Sequence, residues 1–132
     1  MSTSVERLKG SIPPVVTPLY NGEVDYETYA RLIEFQIKNG SHGILVNGTS
    51  AEPSTLTIEE RNRLVTVAVE LASKRVPVVA ATGSQSLAET RQLSEHAAKA
   101  RPPILFAAEL LQCEWLGVNP VFYALKFRGG SR

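Results

Sequence analysis

Short apolar runs and amphipathic stretches alternate over the first 100 residues. Ile12-Pro13-Pro14-Val15-Val16-Thr17-Pro18-Leu19 is apolar and broken by proline. It predicts a first strand whose pairing is limited, because proline brings no N–H to a ladder. Asn21-Gly22 marks a turn. Asp25 is placed to cap a helix over residues 26–39, with Tyr29, Leu32, Ile33 and Ile37 on one face. Gly40 suits the left-handed position that ends it. Residues 42–47 predict a second strand. Thr57-Ile58-Glu59-Glu60 is a capping box, with a hydroxyl at the cap and Glu three residues on. The helix it opens carries Leu64, Ala68, Leu71 and Ala72 at core spacing and should end near Lys74-Arg75. Residues 76–83 form a third apolar run, whose continuity predicts burial on both faces, as in a parallel sheet. Ser86-Leu87-Ala88-Glu89 repeats the capping-box pattern before a helix bearing Leu93, Ala97 and Ala100.

The order is therefore β-α-β-α-β-α, with a unit of about 35 residues, as right-handed βαβ crossovers require. An open doubly wound sheet and a (β/α)8 barrel share this pattern, and periodicity does not choose between them. After Ala100 the rhythm breaks. Arg101-Pro102-Pro103 stops the helix, and residues 104–111 are apolar enough for a strand or a short helix. Residues 113–120 have no clear period, 121–127 read as a further strand, and Arg128-Gly129-Gly130-Ser131-Arg132 as a loose tail. The expected division is 1–100 as the regular α/β portion and 101–132 as a divergent tail.

Composition narrows the function. The net charge is +1 and no basic stripe with interleaved aromatics occurs, which argues against a nucleic-acid partner. No apolar run approaches the roughly 18–20 residues of a membrane span, and residues 1–7 lack the apolar core of a secretory signal. Cys113 is the only cysteine, which suits a reducing, cytoplasmic setting. His42 and His96 lack the spacing of a metal pair and read as surface or loop histidines.

Asn47-Gly48-Thr49-Ser50-Ala51-Glu52 follows the second apolar run, so it leaves the C-terminal end of a buried strand. Active sites of α/β proteins collect there. Two adjacent hydroxyls can hold a carboxylate and relay a proton; equally, they can cap the local chain in an ST turn. Asn47-Gly48-Thr49 also matches a glycosylation acceptor, which without a leader reads as chance. Gly83-Ser84-Gln85-Ser86 could hold a phosphate at a helix start but lacks the P-loop lysine. Glu59 and Glu60 favour the helix N-terminus rather than forming an acid/base pair with Glu52.

Four motifs in order and spacing carry a resemblance. They are Val16-Thr17-Pro18-Leu19 with Gly22 and Asp25; Gly48-Thr49-Ser50-Ala51-Glu52 with Leu56-Thr57; Glu60-Arg61; and Gly83-Ser84 with Glu89-Thr90. From about Leu8 to Ala100 the chain resembles the dihydrodipicolinate synthase / N-acetylneuraminate lyase family. The resemblance implies the N-terminal portion of a (β/α)8 TIM barrel, about three βα units. It also implies a lyase or aldolase that forms a Schiff base between a barrel lysine and pyruvate or another 2-keto acid, with no cofactor, in a homo-oligomer. Thr49 would be the proton-relay hydroxyl, and Ser50, beside Gly48 and neighbouring N–H groups, would hold the pyruvate carboxylate. The implied reaction is condensation of pyruvate with aspartate semialdehyde. Cleavage of sialic acid or of keto-deoxy sugar acids is the alternative within the family, and a non-catalytic binding or assembly module the alternative outside it.

Two departures qualify the match. The family motif has Gly where this chain has Ala51, which would cost about 1 kcal/mol or more if the position needs positive φ. The relay tyrosines and Schiff-base lysine belong to later strands of the family barrel, beyond the matching region. Lys126, near Tyr123, reads as an exposed lysine on an edge segment. The expectation is a family member cut short after three βα units by a frameshift or misjudged gene boundary. It would be inactive alone and prone to self-association.

Overall fold

The computed structural model describes residues 8–100 and 104–106. Cys113, Tyr123, Lys126 and the expected strand over 121–127 lie outside the described residues. The proline-broken run at residues 12–19 lies beside the second apolar run, as expected, but makes only an isolated parallel bridge, Pro14 to Leu45. The Val15 N–H donates to the Leu45 carbonyl at 3.0 Å and the Leu45 N–H to the Pro13 carbonyl at 3.0 Å. The end of the run turns back on itself. β1 (Leu19–Tyr20) pairs antiparallel with β2 (Glu23–Val24) across a two-residue turn. Asn21 and Gly22 both take positive φ there, 50° and 81°, which is the backbone a two-residue hairpin needs.

α1 (Tyr26–Lys38) starts at Asp25, whose carboxylate accepts from the Thr28 N–H at 3.0 Å. Gly40 ends it in the left-handed region, φ 89°. β3 (Ile44–Val46) follows, then two 3-10 turns, Thr49–Ala51 and Pro53–Thr55. α2 (Ile58–Ala72) opens with the expected capping box, both arms formed between Thr57 and Glu60. It ends earlier than Lys74-Arg75, because Ser73 and Lys74 turn left-handed, φ 44° and 63°. That exit sends Arg75 to Glu34 of α1 in a two-pronged ion pair of 3.0 and 2.7 Å.

β4 (Val78–Ala81), α3 (Leu87–Ala100) and β5 (Ile104–Phe106) complete the described elements. The second capping box forms by half. The Ser86 hydroxyl accepts weakly from the Glu89 N–H at 3.4 Å, while the Glu89 carboxylate takes the Ser84 hydroxyl instead. β3, β4 and β5 make one parallel sheet in that order, with Ile44 opposite Val78 and Val79 opposite Ile104. β5 thus carries the parallel sheet one strand past Ala100, at the start of the run over 104–111 that reads as a strand or a short helix.

The helices cover one face of this sheet. Ile44 and Val46 of β3 and Val78 and Ala80 of β4 pack with Tyr29 and Ile33 of α1, Leu64, Val65 and Ala68 of α2, and Ala97 of α3. Burying the valine, leucine and isoleucine side chains among them contributes roughly 1.5–3 kcal/mol each. The sheet is open, as a segment of a barrel wall must be. His96 is not a loop residue: it sits half-buried on α3, its ring nitrogen 3.2 Å from the Thr66 hydroxyl of α2. His42 is exposed and accepts from the Ser11 N–H at 3.0 Å. Among the described residues no helix is long and apolar enough to cross a membrane.

Candidate active site

The site forms where β3 and β4 end. Asn47 leaves β3 with φ 59°, a left-handed turn that asparagine tolerates better than most residues. Gly48 continues with φ −70° and ψ 178°, so its conformation does not demand glycine. Space is tight without being closed: a Cβ there would lie 3.3 Å from Leu45 Cδ2, the end of a side chain that would have to give by a few tenths of an ångström. The 3-10 turn then closes through the Ala51 N–H on the Gly48 carbonyl, 2.9 Å, and the Glu52 N–H on the Thr49 carbonyl, 3.1 Å.

This geometry answers the question posed by Ala51. The left-handed residues are Asn47 and Glu52, φ 59° and 53°, not Ala51. Ala51 turns its methyl inward and is buried, so the substitution adds apolar contact without backbone strain. Glu52 separates the two 3-10 turns, and its carbonyl accepts the Thr55 hydroxyl at 2.7 Å.

Thr49 and Ser50 are both exposed, on the outer side of the first turn. Among the described residues neither hydroxyl makes a hydrogen bond, so neither serves as a local cap. That separates them from Thr55, Thr57 and Thr66, whose hydroxyls are all engaged by the chain. Uncommitted hydroxyls beside the first N–H groups of a 3-10 turn, which have no partner inside the turn, are suited to an anionic oxygen.

The Gly83-Ser84 loop differs. Its Ser84 N–H donates to the Thr90 hydroxyl at 3.0 Å, its Ser84 hydroxyl to Glu89 at 2.5 Å, and its Ser86 N–H to Ser84 Oγ at 3.4 Å. Donors that a phosphate would need are already used to start α3. Glu60 is likewise held in the Thr57 capping box.

Two side chains beneath the loop gained meaning only from the structure. Asn47 is 3% exposed and its amide donates to the Arg61 carbonyl at 2.9 Å. A buried, committed amide is no glycosylation acceptor. Arg61, on the first turn of α2 and 5% exposed, donates from Nη2 to the carbonyls of Gly83 at 2.9 Å and Ala81 at 3.3 Å. The sequence signal for both was weak. Arg61 precedes Leu64 and Ala68 on the core-facing stripe, an unusual place for a guanidinium. Thr17 Oγ1 and Tyr29 Oη are also buried, without a hydrogen-bond partner among the described residues. Burial alone pushes the Tyr29 phenol well above its usual range.

A model of the dihydrodipicolinate synthetase family matches residues 7–101. The 4-hydroxy-tetrahydrodipicolinate synthase of Syntrophobacter fumaroxidans is 48% identical over 92 residues, which are 70% of this chain and 32% of that enzyme. Among solved structures, dihydrodipicolinate synthase of Aquifex aeolicus superposes with a TM-score of 0.69 at 42% identity, over 72% of this chain and 32% of that one. The chloride-inhibited dihydrodipicolinate synthase of Acinetobacter baumannii, solved with pyruvate, superposes with a TM-score of 0.67 at 36% identity, over 70% of this chain and 32% of that one. The chain spans about a third of the length of the relatives it matches.

Proposed function

The chain belongs to the dihydrodipicolinate synthetase family, and on that premise we propose that its β3 exit is the carboxylate-holding part of a pyruvate lyase or aldolase site of the 4-hydroxy-tetrahydrodipicolinate synthase type. Ser50, with the N–H groups around Gly48, holds the 2-keto acid carboxylate. Thr49 relays a proton during carbon–carbon bond formation. The observation that carries this reading is the pair of exposed, uncommitted hydroxyls on a turn otherwise tied down by the backbone. The pyruvate complex of the Acinetobacter relative supports the choice of 2-keto acid.

The resemblance assigns the Schiff-base lysine and relay tyrosines to later strands than those matched here. The 132-residue chain on its own therefore supplies binding groups without turnover, since proton relay and covalent catalysis are each worth orders of magnitude in rate. A graft tests the reading: residues 8–100 replace the matching segment of the Syntrophobacter synthase. The graft is expected to turn over pyruvate. Thr49→Val, which keeps shape and deletes the hydroxyl, should lower kcat by about 100-fold or more. Ser50→Ala should chiefly raise the KM for pyruvate. A folded, active graft indifferent to both substitutions refutes the proposal. For the chain alone, borohydride with pyruvate is expected to leave no lysine adduct.

A further inference from the structure

Asn47 and Arg61 connect three pieces of chain that meet at the proposed site. The Asn47 side chain, on the left-handed residue where β3 ends, donates to the Arg61 backbone carbonyl at 2.9 Å. The Arg61 side chain crosses in the other direction, to the Gly83 carbonyl at 2.9 Å and the Ala81 carbonyl at 3.3 Å where β4 ends. The Arg61 N–H closes the first turn of α2 on the Thr57 carbonyl at 3.0 Å, so the residue is anchored to the same helix that follows the hydroxyl turn. Both side chains are almost fully buried, 3% and 5% exposed. A buried guanidinium is costly unless its donors are met, and hydrogen bonds from a charged group are among the strongest available.

We infer that Asn47 and Arg61 form a positioning clasp that sets the distance between the β3 and β4 exits and thereby holds Thr49 and Ser50 in place. The inference rests on the reading of Thr49 and Ser50 as a pyruvate site, and it adds residues that touch no substrate. Asn47 is three residues or fewer from both hydroxyls, and its side chain fixes the start of their turn. Arg61 fixes that start to the next strand. The two ends of the clasp have different reach. Removing the Asn47 amide frees the β3 exit only. Removing the guanidinium frees the β4 exit directly and the β3 exit through the loosened first turn of α2.

Amide hydrogen exchange on the full chain reads this asymmetry. Arg61→Met is expected to speed exchange about ten- to a hundredfold at the hydrogen-bonded amides of Ala51, Glu52 and Ser84, with α1 unchanged. Arg61→Lys, which retains one charged donor, should recover much of the protection. Asn47→Gly keeps the left-handed backbone without the amide, and should speed exchange at Ala51 and Glu52 while leaving Ser84 protected. Titration with sodium pyruvate, followed by the amide resonances of Thr49 and Ser50, supplies the functional readout. Arg61→Met should weaken the response several-fold and Arg61→Lys should restore it. A folded Arg61→Met chain with unchanged exchange at both exits overturns the clasp, and so does an Asn47→Gly chain that loosens Ser84 as much as Ala51 and Glu52. If the unaltered chain shows no pyruvate response at Thr49 and Ser50, the functional reading fails, and the exchange pattern alone still decides the clasp.

Discussion

At the residue scale, one atom separates neutral from costly choices. Tyr29 is 1% exposed, and its hydroxyl has no partner among the described residues. A buried hydroxyl without a partner costs about 1–3 kcal/mol relative to a satisfied one, whereas its ring contributes fully to the core. Tyr29→Phe is therefore expected to leave the urea midpoint unchanged or raise it; a loss of more than about 1 kcal/mol would mean the hydroxyl has a partner that matters. Ala51 shows the reverse. The motif suggested a glycine position under backbone constraint, but the positive φ falls on Asn47 and Glu52. A motif records which residue type stands at a position, not which neighbour carries the unusual dihedral, so this was legible only in three dimensions.

Elements followed their local chemistry closely where that chemistry was self-contained. The Thr57–Glu60 capping box and the Asp25 cap formed because both partners lie within one turn. Helix ends shifted where a distant residue competed. α2 stops at Ala72, where Ser73 and Lys74 turn left-handed and bring Arg75 to Glu34 of α1, and the Glu89 carboxylate takes the Ser84 hydroxyl rather than its own cap. These charged ends carry a pH dependence. The Thr28 hydroxyl and N–H hold the Asp25 carboxyl below its usual range, and the Arg75 guanidinium does the same for Glu34. A carboxylate whose folded pKa is depressed adds stability that is complete above the unfolded value of about 4 and is lost as pH falls through the folded value. Urea midpoints measured from pH 7 downward should fall on the acid side. Asp25→Asn and Glu34→Gln should each flatten that fall, and an unchanged acid limb in both variants would contradict the assignment. Both groups are half-buried and reached by solvent, so added salt should weaken the Glu34 effect.

On the scale of the whole molecule, the described residues make an open sheet with helices on one face. A barrel removes its strand edges by closure, and an open segment keeps them. Val16, Leu19, Tyr20, Phe35 and Leu87 are also exposed. The 132-residue chain in isolation is therefore expected to self-associate, with sedimentation and thermal melting that depend on concentration. A compact monomer with one sharp, concentration-independent transition would refute this.

The sequence alone determined the alternation of strand and helix through Ala100, the faces of the helices, the caps and the hydroxyl pair at the β3 exit. All of these depend on residues a few positions apart, whose spacing states the geometry directly. The proline-broken first run was legible for the same reason: missing N–H groups limit a ladder wherever it forms. Only the tertiary structure decided that residues 19–24 fold into a hairpin, that β5 extends the sheet, that Ser84 and its neighbours are spent on α3, and that Asn47 and Arg61 tie the strand exits together. Each of those rests on hydrogen bonds between segments remote in sequence or on a competition between two local partners. Spacing along the chain carries neither, because the winner is set by which groups the packed core brings within about 3 Å of each other.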